Sequence, residues 1–197
     1  MSANPARSAR RAASATTRTR GSAMRAATGL AEVIGWEVRR VGYGHPDALA
    51  LIEEVQAEYV QRYGGPDDTP LDPLMFEPPA GSFYVGYLDA RPVVTGAWRR
   101  TTVQSFEPVA TAEVKRMYVA PAARSRGLAR RMLAHLERTA AESGVEAMVL
   151  ETGLRQPEAI ALYESSGYLP VPGFGYYRDA PLSRCFGKWL TDQASTT

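Results

Sequence analysis

The chain has 197 residues, 45% of them hydrophobic and 22% charged, with a formal net charge of +2. That is enough for one domain with a full apolar core, and no apolar run approaches the roughly 18 residues that a membrane helix needs. A single cysteine, Cys185, excludes an internal disulfide and agrees with a cytoplasmic setting, while two distant histidines, His45 and His135, argue against a metal site.

Residues 1–33 read as a disordered basic tail. Positions 1–31 hold six arginines and no acid, so the rest of the chain carries about −4. A basic, Ser-rich, acid-free stretch resembles an organelle transit peptide or an arm that touches nucleic acid. Against both stands a plain tail, or a start at Met24. Only two of the 23 basic residues are lysine, which points to a GC-rich genome and accounts for the arginines without a function. We adopt the plain reading, with no nucleic-acid partner and no membrane partner. Residues 193–197 read as a short C-terminal tail.

Between the tails, 34–192 reads as one domain. Trp36 to Val41 alternates as a first strand, and Pro46 then opens a helix whose apolar positions are Leu49, Ile52, Val55 and Tyr59, stopped by Gly64 and Gly65. Pro66 to Pro79 is loop with room for one short helix. Ser82 to Leu88 and Val93 to Arg100 form a hairpin turning at Asp89-Ala90. In the fourth strand, Thr111 to Val119, the apolar residues Val114, Met117 and Val119 are spaced by three and then two, so one extra residue predicts a β-bulge. Leu128, Met132, Leu133, Leu136 and Ala140 make a helical stripe ending at Gly144. Ala147 to Glu151 is a fifth strand, and a short helix runs from Pro157 towards Gly167. Leu169 to Tyr177 and Arg184 to Leu190 are the last two strands.

The turn Arg124-Ser-Arg-Gly-Leu-Ala129 joins the fourth strand to the second helix. A helix N-terminus offers unpaired N–H groups and the positive end of a dipole, Gly127 and Ala129 leave room for a bulky anion, and Arg124 and Arg126 add positive charge. The segment is suited to a pyrophosphate.

The spacing Arg124-x-x-Gly127-x-Ala129 resembles the acyl-CoA signature of the GNAT acetyltransferase superfamily. Gln156-Pro-Glu-Ala-Ile-Ala-Leu-Tyr163-Glu-Ser-Ser-Gly-Tyr168 resembles that family's second hallmark, in the family's order. The likeness spans about Trp36 to Leu190. It implies an α/β (α+β) fold with a mixed, mostly antiparallel sheet of about seven strands, flanked by helices and splayed between the fourth and fifth strands. It also implies acetyl-CoA as the acyl donor, held by Arg124, Ser125, Arg126, Gly127, Leu128 and Ala129. Met117, Tyr118 and Val119 would hold the pantetheine arm and oxyanion through the main chain. Tyr163 is then the general acid to the leaving thiolate, and Glu113 the general base, with Glu151 in reserve. Gln156, implied as a further cofactor contact, stands where the family usually has Asn and offers the same amide one methylene further out.

The acceptor is less legible. Eight acids lie between Asp47 and Glu77 against one arginine, Arg62, which would make a rim attractive to a cationic amine. Tyr176 and Tyr177 are candidates for the acceptor pocket. His135 is read as facing outward or to a helix flank, without a role. The expected activity is direct acetyl transfer to a small-molecule primary amine, without a metal. A protein N-terminus or lysine is the alternative acceptor, and a CoA-binding sensor the non-enzymatic alternative. A homodimer is left open.

Overall fold

The computed structural model describes residues 35–190 apart from 104, 107 and 108, so both expected tails lie outside the described residues. The elements are β1 (Trp36–Val41), α1 (Pro46–Tyr63), β2 (Gly81–Leu88), β3 (Arg91–Thr101), β4 (Thr111–Val119), α2 (Leu128–Glu142), β5 (Ala147–Gly153), α3 (Pro157–Glu164), β6 (Leu169–Pro170) and β7 (Ser183–Trp189). One-turn 3₁₀ helices at Pro73–Phe76 and Pro121–Ala123 fill the longer connections. The sheet runs β1-β2-β3-β4-β5-β7-β6, and only the β4–β5 pair is parallel. This is the GNAT fold class implied by the sequence.

Local chemistry accounts for the boundaries. His45 caps α1 by accepting from the Asp47 amide, Pro46 pre-sets its first turn, and Gly64 closes it in the left-handed region at φ 85°. Asp89 and Ala90 both take positive φ, 50° and 61°, as the tight β2–β3 hairpin requires.

Each face of the sheet buries its own core. Leu128, Met132, Leu133 and Leu136 of α2 pack with Val94, Trp98, Val114, Met148 and Leu150 on one face. On the other, Ala48, Leu51, Ile52 and Val55 of α1 meet Phe76, Phe83, Val85 and Ala97. Each large aliphatic side chain so buried contributes about 2 kcal/mol.

One expected strand is corrected. Leu169 to Tyr177 pairs only at Leu169–Pro170. Pro170 and Pro172 supply no N–H, Gly175 has φ 73°, and Phe174 turns inward to pack with Val149 and Cys185.

Candidate active site

The fourth strand opens the sheet. β4 pairs with β5 only from Thr111–Ala147 to Val114–Leu150, and beyond that the strands diverge. The expected bulge lies at this point: Ala97 pairs with Lys115 but Thr95 with Tyr118, leaving one extra residue on β4. Arg116 adopts φ 55° there, its carbonyl accepts from Thr95 Oγ1 at 2.8 Å, and its nearly buried guanidinium reaches Asp67 at 2.7 Å. The bulge is thus pinned from both sides.

The gap is a cavity of about 510 Å³. Met117, Tyr118 and Val119 form one wall; Arg124, Ser125, Gly127, Leu128 and Ala129 the floor; Gln156 and Tyr163 the opposite wall. α2 begins at Gly127, φ 73°, with no side chain capping its first turn. Its first amides therefore lack intrahelical partners where the cavity opens, and a Cβ at Gly127 would meet nothing within 4 Å. Arg124 donates to the Val119 carbonyl at 2.9 Å and to the Glu58 carboxylate, which also pairs with Arg62. Arg126 is exposed and outside the cavity lining. Arg130, which the sequence did not single out, lines the cavity and ties α2 to Ser165 and Ser166 beyond α3.

Tyr163 is 5% exposed, edge-on to Tyr168 at 5.8 Å. Burial pushes its hydroxyl well above the usual phenol range, so it stays protonated at neutral pH. Gln156 donates to the Tyr63 hydroxyl at 3.2 Å. That hydroxyl rests against Gly153, where there is no room for a Cβ. Gln156 and Tyr59 line both this cavity and a second one, and so form a shared wall.

The second cavity, about 430 Å³, is lined by Asp67, Lys115, Glu151, Tyr177 and Ser183 among others. Glu151 accepts from Ser183 Oγ at 2.7 Å. Burial pushes its carboxyl above the ordinary range, and the Ser183 bond and the Lys115 charge only partly oppose this. Tyr177 joins the lining, accepting from the Asp68 amide and donating to Asp67, whereas Tyr176 is 61% exposed and stays outside.

Glu113 stands differently from its expected role. It is 3% exposed; one oxygen takes two bonds from Arg99, at 2.9 and 2.7 Å, and the other meets the Lys115 ammonium at 2.9 Å. It lines neither cavity. Part of the acidic rim is engaged elsewhere: Asp47 accepts from Tyr87, Glu54 from Tyr118, and Glu58 pairs with arginines, while Asp67 and Asp68 line the second cavity. His135 lies half-buried on the flank of α2, one of the two expected placements. Its ring lies edge-on to Tyr84 at 4.6 Å, its Nε2 is buried without a partner, and burial lowers its pKa to about 4. Cys185 is buried, and desolvation raises its thiol pKa, which gives no nucleophile.

Lys115 went unread in the sequence, although one signal was present. In a chain that uses arginine almost throughout, both lysines are ion-paired, Lys115 with Glu113 and Lys188 with Glu137.

Comparison with known proteins gives a consistent picture. A family model described as the acetyltransferase (GNAT) family matches residues 50–168. An IAA acetyltransferase of Azospirillum brasilense is 35% identical over 135 residues, 68% of this chain and 85% of that protein. A solved candidate acyl-CoA N-acyltransferase from Klebsiella pneumoniae superposes with TM-score 0.64 at 26% identity, over 79% of this chain and 98% of its own. A GNAT family acetyltransferase from Elizabethkingia anophelis with acetyl-CoA bound shares the fold, with TM-score 0.55, 12% identity and coverage of 80% and 99%.

Proposed function

The chain belongs to the GNAT acetyltransferase family, and from that premise we propose that it moves an acetyl group from acetyl-CoA directly to the primary amine of a small molecule. The observation that carries the reading is the pairing of two cavities across the Tyr59–Gln156 wall. One has an uncapped helix N-terminus and a buried tyrosine, and the other has a carboxylate of raised pKa.

The first-turn amides of α2 from Leu128 to Arg130, with Ser125 and Gly127 beside them, fit a pyrophosphate, because they are donors that no side chain caps. Arg124 joins them once it leaves Glu58. Met117 and Val119 bond the pantetheine arm through main-chain groups on the side from which β5 has departed, and the amide of Met117 or Tyr118 stabilises the oxyanion. Gln156, held on Tyr63, shapes the wall between donor and acceptor.

Glu151 takes a proton from the acceptor ammonium. The freed nitrogen bonds to the thioester carbonyl carbon, the carbon–sulfur bond breaks, Tyr163 gives its proton to the departing sulfur, and the nitrogen gives its second proton to solvent as the amide forms. The products are the acetamide and free CoA thiol; Glu151 returns its proton to solvent, and Tyr163 is reprotonated from there. We assign the base to Glu151 because it lines the acceptor cavity, whereas both oxygens of Glu113 are held by Arg99 and Lys115. A volume of about 430 Å³ favours a small molecule over a protein segment.

The test is thiol release from acetyl-CoA across amines, amino acids, aminoglycosides and peptides, alongside calorimetric binding of acetyl-CoA. Release with a subset of small amines is expected. Binding without release across the panel would replace the enzyme reading with that of a CoA sensor.

A further inference from the structure

The acceptor cavity holds two charges of opposite sign that do not satisfy each other. Arg99 and Lys115 both pair with Glu113, so two cations share one buried carboxylate and one positive charge is left over. Of the two, Lys115 lines the cavity, and Glu113 takes only one of its three ammonium donors. Across the same cavity, Glu151 has a hydroxyl partner in Ser183 and, among the described residues, no ion pair. Asp67, the other acid of the inner wall, is already neutralised by Arg116 at 2.7 Å, and Asp68 is exposed at the rim.

Opposite charges in one half-buried cavity would be expected to pair with each other. Here each is tethered by a different partner instead. Lys115 and Glu113 lie two apart on β4 and so share a sheet face. Ser183, at the start of β7, holds the carboxylate of Glu151 on β5. The two charges are kept apart and available.

Resting on the reading that this cavity receives the acceptor amine, we propose that the acceptor is an amino acid or a similar short amino carboxylate, its amine at Glu151 and its carboxylate at Lys115. A ligand of that kind satisfies both charges at once. A plain amine leaves the surplus positive charge facing a second cation, and a plain carboxylate leaves Glu151 facing a second anion. The remaining wall, from Tyr59, Tyr63, Tyr177 and Leu182, suits an apolar or aromatic side chain, and about 430 Å³ leaves space for one.

The experiment compares matched acceptors on the full chain. Each of the twenty protein amino acids is assayed for thiol release beside its carboxamide and beside the amine that lacks the carboxylate altogether. For the amino acids that turn over, kcat/KM is expected to exceed that of the carboxamide by about tenfold or more, the scale of one charge-assisted hydrogen bond. The carboxamides carry the less basic and more readily freed amine, so intrinsic reactivity works against this result. Lys115→Met is expected to collapse the ratio of acid to carboxamide to about one, and Lys115→Arg to keep it above one. Should Lys115→Met not fold, the wild-type ratios and the Lys115→Arg variant decide alone. Carboxamides or plain amines turned over as well as the amino acids would overturn the proposal while leaving the acetyltransferase reading intact. Thiol release only with other small amines of the wider panel would likewise overturn the proposal alone, and absence of release with every acceptor of both sets would sink that reading and the proposal together.

Discussion

Glu113 and Glu151 lie on adjacent strands and on the same face of the sheet, yet Glu113 is held by two cations and Glu151 by a hydroxyl. Glu113 neutralises Arg99 and Lys115, and removing its charge leaves two cations facing each other. Glu113→Gln is therefore expected to cost about 3 kcal/mol of stability, at the lower end for a broken buried pair because both cations keep some solvent. Glu151 has a raised pKa because it is half-buried and has no ion pair among the described residues, the nearby Lys115 charge only partly opposing the loss of solvent. A carboxyl whose folded pKa lies above its unfolded one stabilises the fold while protonated, and that contribution is lost as pH rises through the folded value. At pH 7 its ionised form is a strain on the fold, so Glu151→Gln should raise the melting temperature. The gain should fade at acid pH, where Glu151 is itself neutral. The same variant should lose about 10²–10⁴-fold in kcat/KM at neutral pH, with the defect shrinking as the free amine becomes abundant. A lower melting temperature together with full activity would return Glu151 to an ordinary wall residue. Tyr163→Phe separates from it by pH: losing a proton donor to the thiolate should cost about 10²-fold, and the loss should persist at high pH.

At the level of elements, the start of α2 does its work through what it lacks. Gly127 sits at φ 73°, where a side chain costs about 1–2 kcal/mol, and the space beyond its Cα is empty. Glycine thus provides both the left-handed turn and an open approach to the first amides. Gly127→Glu should lose several degrees of melting temperature and all measurable acetyl-CoA binding in a calorimeter, since its carboxylate repels the pyrophosphate. Gly127→Asn is the control, because asparagine tolerates the same backbone region and adds no charge. Its binding should stay within about tenfold of wild type, for a neutral amide can still donate to the anion. If the glutamate variant binds as well as the asparagine variant, the anion does not sit at this helix end.

Over the whole molecule, what the sequence disclosed was what depends on neighbours in sequence. The three-then-two spacing of Val114, Met117 and Val119 marked the bulge, Gly64 the end of α1, and Asp89-Ala90 the hairpin, because each follows from backbone geometry within a few residues. The partners of charged groups were not legible in this way. Arg99 lies 14 residues before Glu113, and Asp67 49 residues before Arg116, and only the strand register and the loop after α1 bring them together. For the same reason the acids of Asp47 to Glu77 looked like a negative rim, whereas Asp47, Glu54, Glu58 and Asp67 serve tyrosine hydroxyls and arginines. The stretch from Leu169 to Tyr177 departed in a simpler way, since Phe174 turns into the core instead of continuing a strand. The molecule's response to its acyl donor ties these parts together. A ligand that binds only the folded state adds about 2.7 kcal/mol at a concentration one hundred times its Kd, which for a domain of this size raises the melting temperature by roughly 5–10 °C. Wild type should show that shift with acetyl-CoA. Glu151→Gln and Tyr163→Phe should show it undiminished, because they alter proton transfer and leave the α2 amides untouched, whereas Gly127→Glu should show none. A shift retained in the glutamate variant, or lost in the glutamine variant, would mean that acetyl-CoA is held by the second cavity, and the division of labour between the two cavities would have to be reversed.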